Sequence, residues 1–144
     1  MGIRSWISWR GKDIGYGLLG KLLWPRCSAA AVVIEDEKIL AIDTGDYLML
    51  PGGGIESGES FRETAERETR EETGVEIEVQ ELLMEQENSV GGVEKIFRGR
   101  PVNSKATGGH WEGEPSWISL DRALERQWRH DRDIGRLADA TGKS

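Results

Sequence analysis

The stretch from Gly53 to Val75, GGIESGESFRETAERETREETGV, constrains this chain more than any other. It grows out of a glycine cluster, Pro51-Gly52-Gly53-Gly54. Such a cluster does not begin a regular element, but it lets backbone come very close to a ligand. Ser60 followed by Glu63 is a capping-box pattern, so the spacing predicts a helix from about Ser60 to Thr73. Gly74 stands where a helix stop is expected.

The faces of that helix carry the functional argument. At about 100° per residue, Glu68, Glu71 and Glu72 fall on one side, continuing a stripe begun by Phe61, Thr64 and Ala65. Arg62, Glu63, Glu66, Arg70 and Thr73 lie opposite, which predicts the solvent face there and all three glutamates turned inward. Crowded carboxylates pointing at a protein body repel one another, and burial raises the cost. A hard divalent cation among them reverses the balance, since Mg2+ takes oxygen ligands and keeps some of its waters. Spacing by itself fits a solvated acidic helix equally well. The inward face favours the metal.

The same residues carry a family resemblance. Gly53, five residues, Glu59, seven residues, Arg67-Glu68, two residues, Glu71-Glu72, one residue, Gly74 and an apolar Val75 resemble the Nudix box, the signature of the Nudix hydrolases. Seven identities are fixed over 23 positions. Thr69 departs, standing where the family usually has an aliphatic residue. The resemblance implies an α/β fold, an α/β/α sandwich with a mixed sheet and a loop-helix-loop catalytic motif. It also implies hydrolysis of a nucleoside diphosphate linked to another group, by water attack on phosphorus. Carried over by position, Glu68 and Glu72 are the principal metal ligands and Glu71 a third ligand or base. The Gly52 carbonyl completes the coordination, Arg67 orients Glu68, and Glu59 sits at the edge of the cluster. The donor set selects Mg2+, with Mn2+ the alternative, because no cysteine or paired histidine lies near it.

Beyond this stretch the signals are weaker. The family often adds an acidic residue from a later loop, and Glu112 is the expected extra ligand or base, with Glu114 close behind. A solvated loop glutamate is an equally good description of either. His110 is a further candidate base and Trp111 a candidate stacking surface, each with a bland reading as surface or lid residue. Arg98 and Arg100 share one face of a predicted strand and are candidates, with Gly53, for gripping substrate; ordinary surface charge explains the two arginines equally well.

Strands are expected over Ser28–Ile34, Lys38–Ile42, Tyr47–Leu50, Val75–Glu87, Val93–Arg100 and Trp117–Ser119, with turns at Asp36-Glu37 and Asn88–Gly92. Asn103–Gly109 reads as a loop, Leu120–Gln127 as a helix starting at Ser119 or Asp121, and Arg129–Ala140 as a last amphipathic helix. Residues 27–144 read as a single Nudix hydrolase domain. Residues 1–26 form a basic, tryptophan-rich segment expected to pack on that domain or across a homodimer interface, with a membrane surface as the other reading.

Charge narrows the partners. The net charge is −7, but residues 1–26 carry five basic side chains against Asp13 alone. The acidic remainder argues against general nucleic-acid binding, while a metal-bridged small nucleotide is compatible with it. One cysteine, Cys27, excludes an internal disulfide and suits a reducing cytoplasm, and no apolar run is long enough to span a bilayer. Two other functions fit a Nudix-type chain: a non-catalytic nucleotide-sensing module, which loss of a ligand glutamate would favour, and a diphosphate isomerase, for which Cys27 is thin support. The substrates to test are nucleoside triphosphates and nucleotide sugars such as ADP-ribose.

Overall fold

A computed structural model describes residues 27–88, 91–103, 105 and 113–142. Strands β1 (Ser28–Glu35), β2 (Lys38–Asp43), β3 (Leu48–Met49) and β4 (Gly52–Gly54) precede helix α1 (Phe61–Thr73). Strands β5 (Ile77–Glu87), β6 (Val93–Pro101) and β7 (Glu114–Ser119) follow, then helix α2 (Leu120–Glu125), a 3-10 turn (Arg129–Asp131) and helix α3 (Ile134–Ala140).

The seven strands form one mixed sheet with the path β3-β2-β1-β6-β5, in which β4 adds to β1 and β7 to β2. β1 is its pivot. β1 pairs antiparallel with β4 over Ser28–Ala30 and parallel with β6 over Ser28–Val33, and its end turns into β2 with Ile34 opposite Ile39. Asp36 and Glu37, the two turn residues, both have positive φ, the backbone a two-residue hairpin requires.

Alternation along the strands builds two apolar layers. Ala30, Val32, Ile39, Ala41, Leu48 and Ile96 point to the face covered by α2, Trp128 and α3. Ala29 and Phe97 point the other way, against Ala65 of α1. Ala31, Val33 and Leu40 continue that second layer towards Val75 and Ile77. A mixed sheet between helical layers results, the α/β arrangement expected.

Three expectations need correction. The glycine cluster does form a strand, because glycine lets β4 approach β1 closely: a Cβ at Gly52 would lie 2.5 Å from the Ala29 carbonyl oxygen. The helix expected over Arg129–Ala140 is broken, since His130 and Asp131 have left-handed φ of 62° and 52°. Asp133 then starts α3 anew, its carboxylate accepting the Arg136 N–H. Glu114 lies in a strand rather than a loop, because β7 runs opposite β2 along its whole length, from Lys38–Ser119 to Asp43–Glu114.

Candidate active site

α1 begins and ends where its sequence signals place it. The Ser60 hydroxyl accepts the Glu63 N–H, the Glu63 carboxylate accepts the Ser60 N–H, and Gly74 closes the helix in the left-handed conformation at φ 78°. The helix lies across the sheet, so that Ala65 meets Ala29 and Phe97 while Glu68 meets Gly53 of β4.

The buried arc of α1 is rotated from the one expected. Thr64, Ala65, Glu68, Thr69, Glu72 and Thr73 are buried, with Glu68 and Glu72 retaining 6% and 8% of their accessible surface. Thr73, expected on the solvent face, is inside because its hydroxyl donates to the Thr69 carbonyl and accepts the Val75 N–H. Glu71, expected inside, lies at the outer edge with 49% of its side chain exposed. Two glutamates are therefore truly inward, and the third borders solvent.

Glu68 and Glu72, one turn apart, are both buried on the same side of α1. Burial pushes the Glu68 carboxyl above its ordinary range, Arg67 opposes this and Glu71 adds to it. The Glu72 carboxylate accepts the Gly52 N–H at 3.0 Å. Pro51 and Ile55 bond to β1, so the alternate residues Gly52 and Gly54 turn their polar groups away from it, towards α1. The Gly52 carbonyl thus faces the same side as the N–H held by Glu72, and the Gly54 carbonyl accepts from Arg67 at 3.1 Å. Gly53 itself has no room for a side chain: its Cβ would stand 2.6 Å from the Glu68 carboxyl carbon.

Arg67 ties the loop to the helix. Its guanidinium donates to Glu59 at 2.5 Å, to Glu68 at 2.9 Å and to Glu71 at 3.1 Å. Burial alone would pull Arg67 down, but the Glu59 hydrogen bond and the charges of Glu68, Glu59 and Glu56 hold it above its ordinary value. Burial would likewise lift Glu59, yet Arg67, the Glu56 N–H and the Thr64 hydroxyl outweigh it and keep Glu59 ionised to lower pH than usual. Glu56, 3.6 Å from Arg67, is a member that the spacing argument passed over. Its position three residues before Glu59, on the same loop, is the signal that could have found it.

Among the described residues, no three His, Cys, Asp or Glu side chains converge on one point as a metal cage. The two-carboxylate arrangement still suits Mg2+, which binds through one or two carboxylates, keeps waters and shares its shell with substrate phosphates. Glu68 and Glu72 are an all-oxygen pair buried on one side of the helix, and a cation between them would remove the repulsion their burial creates.

Not every candidate is gathered here. Arg98 and Arg100 alternate with Phe97 and so lie on the face away from α1, where they pair with Glu81 and Glu78 of β5. The structure separates them from the glutamates and occupies both with carboxylates. Glu114 is exposed at the start of β7. Glu112, His110 and Trp111 lie outside the described residues, as do residues 1–26.

Comparison with known proteins agrees with this geometry. Residues 25–137 match the NUDIX domain. A MutT-like protein of Streptomyces ambofaciens is 36% identical over 102 residues, which is 68% of this chain and 66% of that protein, so the match spans just under two thirds of the relative. A NUDIX hydrolase from Nitrosomonas europaea superposes with a TM-score of 0.62 at 26% identity, covering 82% of this chain and 88% of that one. An ADP-ribose pyrophosphatase from Streptococcus suis shares the fold with a TM-score of 0.68 at 18% identity, covering 81% and 92%. Nudix enzymes generally use divalent metal ions and act on small nucleotides. With its signature residues assembled on α1 and its sheet matching the family's, the chain belongs to the Nudix hydrolase family.

Proposed function

We propose that the protein hydrolyses the diphosphate linkage of a nucleoside diphosphate joined to another group, a nucleoside triphosphate or a nucleotide sugar such as ADP-ribose, with Mg2+ or Mn2+ as cofactor. The observation that carries this reading is the buried pair Glu68 and Glu72, Glu72 set against the Gly52 backbone and Glu68 braced by Arg67. A cation bound there supplies charge neutralisation for the diphosphate and lowers the pKa of water.

The chain's own residues then have distinct tasks. Glu68, Glu72 and the Gly52 carbonyl hold the cation. Arg67 fixes the Glu68 rotamer through one fork and the loop through Glu59 and Gly54. Glu71, half-exposed at the rim and tethered to Arg67, accepts a proton from the attacking water or adds a ligand; Glu112 is the other candidate for that proton. Water oxygen bonds to phosphorus, the bridging P–O bond breaks, and the leaving phosphate takes the electron pair. Among the described residues no helix is long and apolar enough to cross a membrane, and we place the enzyme in the cytoplasm.

Phosphate release from a panel of nucleoside triphosphates, dinucleoside polyphosphates and nucleotide sugars, with and without Mg2+, tests the reading. Metal-dependent turnover of at least one class is expected. Glu72→Gln should lower kcat at least about 100-fold while the fold persists. Near-normal turnover in that variant would remove Glu72 from the metal site.

A further inference from the structure

The guanidinium of Arg67 carries five N–H groups in one plane, and each of them has an acceptor. They divide by edge. The side edge, Nε and Nη2, takes the two oxygens of Glu59 at 2.5 and 3.2 Å, and Nη2 also reaches the Gly54 carbonyl at 3.1 Å. The far end, Nη1, takes Glu68 at 2.9 Å and Glu71 at 3.1 Å. One rigid group thus joins the loop carboxylate to a buried glutamate and to the one at the rim. Because the fork is planar, whatever turns Glu59 also turns Arg67, and with it the donor that Glu68 receives.

Glu59 is held from the other side by two more groups. Its Oε1 accepts the Glu56 N–H at 3.0 Å and the Thr64 hydroxyl at 2.7 Å. With the two bonds from Arg67, four donors converge on a carboxylate that has about four lone-pair sites, so Glu59 acts as a brace rather than a cation ligand. The Thr64 hydroxyl has one proton and two acceptors in reach, Glu59 at 2.7 Å and the Ser60 carbonyl at 3.0 Å. The shorter contact is charge-assisted and draws the larger share of that proton. Thr64 is fully buried on α1, one turn before Glu68. A β-branched side chain packed in a helix has few χ1 rotamers, so the direction of its hydroxyl is fixed.

We propose that Thr64 is a positioning residue for the metal centre: its buried hydroxyl sets the Glu59 carboxylate in the plane that engages the side edge of Arg67, which leaves Nη1 aimed at Glu68 and Glu71. The signature that runs from Gly53 to Val75 fixes Glu59 and Arg67 but not residue 64, so this tie belongs to the chain's own sequence. The inference rests on the cation site of the preceding reading.

Mn2+ binding to the full chain, read from the loss of the free-ion EPR signal, tests this without any turnover. Thr64→Val removes the hydroxyl and keeps the shape, Thr64→Ala removes it with no added bulk, and Thr64→Ser keeps it. The first two should bind Mn2+ about 10-fold more weakly, the lower end of what losing a group behind a ligand costs, while Thr64→Ser stays within about twofold of wild type. In a Glu59→Ala background Thr64→Val should add less than about twofold, because the hydroxyl then has no carboxylate to set. Thermal unfolding of the same variants separates positioning from packing. A lowered Tm with unchanged Mn2+ affinity in both hydroxyl-free variants would overturn the proposal. So would equal weakening in Thr64→Ser, or a full additional loss in the Glu59→Ala background. Wild-type protein that binds no Mn2+ would remove the cation site and this inference with it, whereas wild-type binding beside unaffected variants would remove this inference alone.

Discussion

Gly52 and Gly53 are adjacent, yet the structure makes opposite demands on them. The three atoms nearest to a Cβ at Gly53 would all belong to the Glu68 carboxylate, at 2.6, 2.7 and 2.9 Å. A carboxylate at the end of a flexible side chain can swing aside by a rotamer change, at a cost of about 1 kcal/mol or less. Gly53→Ala should therefore leave thermal stability nearly intact while dislodging Glu68 from Glu72 and from Arg67. Misplacing a ligand in this way costs about 10- to 100-fold in metal affinity or activity. A Cβ at Gly52 instead meets the Ala29 carbonyl oxygen at 2.5 Å and the Ala30 Cα at 2.8 Å. Those are backbone atoms of the pivot strand and cannot rotate away, so Gly52→Ala overpacks the sheet by roughly 1–3 kcal/mol. In a chain of this size that lowers Tm by about 4–12 °C. The assay is thermal unfolding of both variants alongside Mg2+ titration of phosphate release. Full activity with wild-type Mg2+ dependence in Gly53→Ala would refute the placement of Glu68. An unshifted Tm in Gly52→Ala would refute the close approach of β4 to β1.

Two further outcomes follow from buried polar groups. Among the described residues the buried Thr69 hydroxyl has no hydrogen-bond partner, and an orphan of that kind costs about 1–3 kcal/mol, so Thr69→Val should raise Tm by a few degrees; a lower Tm would mean that the hydroxyl is satisfied. Burial would raise the Glu94 pKa, but the bidentate bond from Arg132 holds it below the ordinary carboxylate value, so the pair stabilises the fold above about pH 4.5 and loses that contribution as pH falls through the lowered folded pKa. Glu94→Gln should cost about 2 kcal/mol at neutral pH and progressively less below pH 4.5 in urea unfolding, and a pH-independent difference would contradict the linkage.

What could be read from the chain before its structure depended on whether the signal was local. The capping box at Ser60 and Glu63, the glycine stop at Gly74 and the Asp36-Glu37 turn involve neighbours a few residues apart, and each formed as its chemistry dictates. Helical spacing also put Glu68 and Glu72 on one side correctly. It could not fix the rotation of α1 on the sheet, because threonine is ambiguous: Thr64 and Thr73 bury comfortably once their hydroxyls bond back to the preceding turn. Counting threonines as inward moves the centre of the buried arc past Ala65 towards Thr69, and Glu71 is carried out to the rim. The glycine strand and the arginines on β6 were hidden for a different reason. Which residue of β1 opposes Gly52, and which face of β6 meets α1, are set by pairings between segments 22 to 66 residues apart in the register, from Ala30 with Gly52 to Ala30 with Ile96. No local pattern encodes them. The pivot role of β1 is therefore the fact that locates the site: by seating β4 on one edge and β6 on the other, it brings the Gly52 backbone under Glu72 and turns Arg98 and Arg100 to the far face.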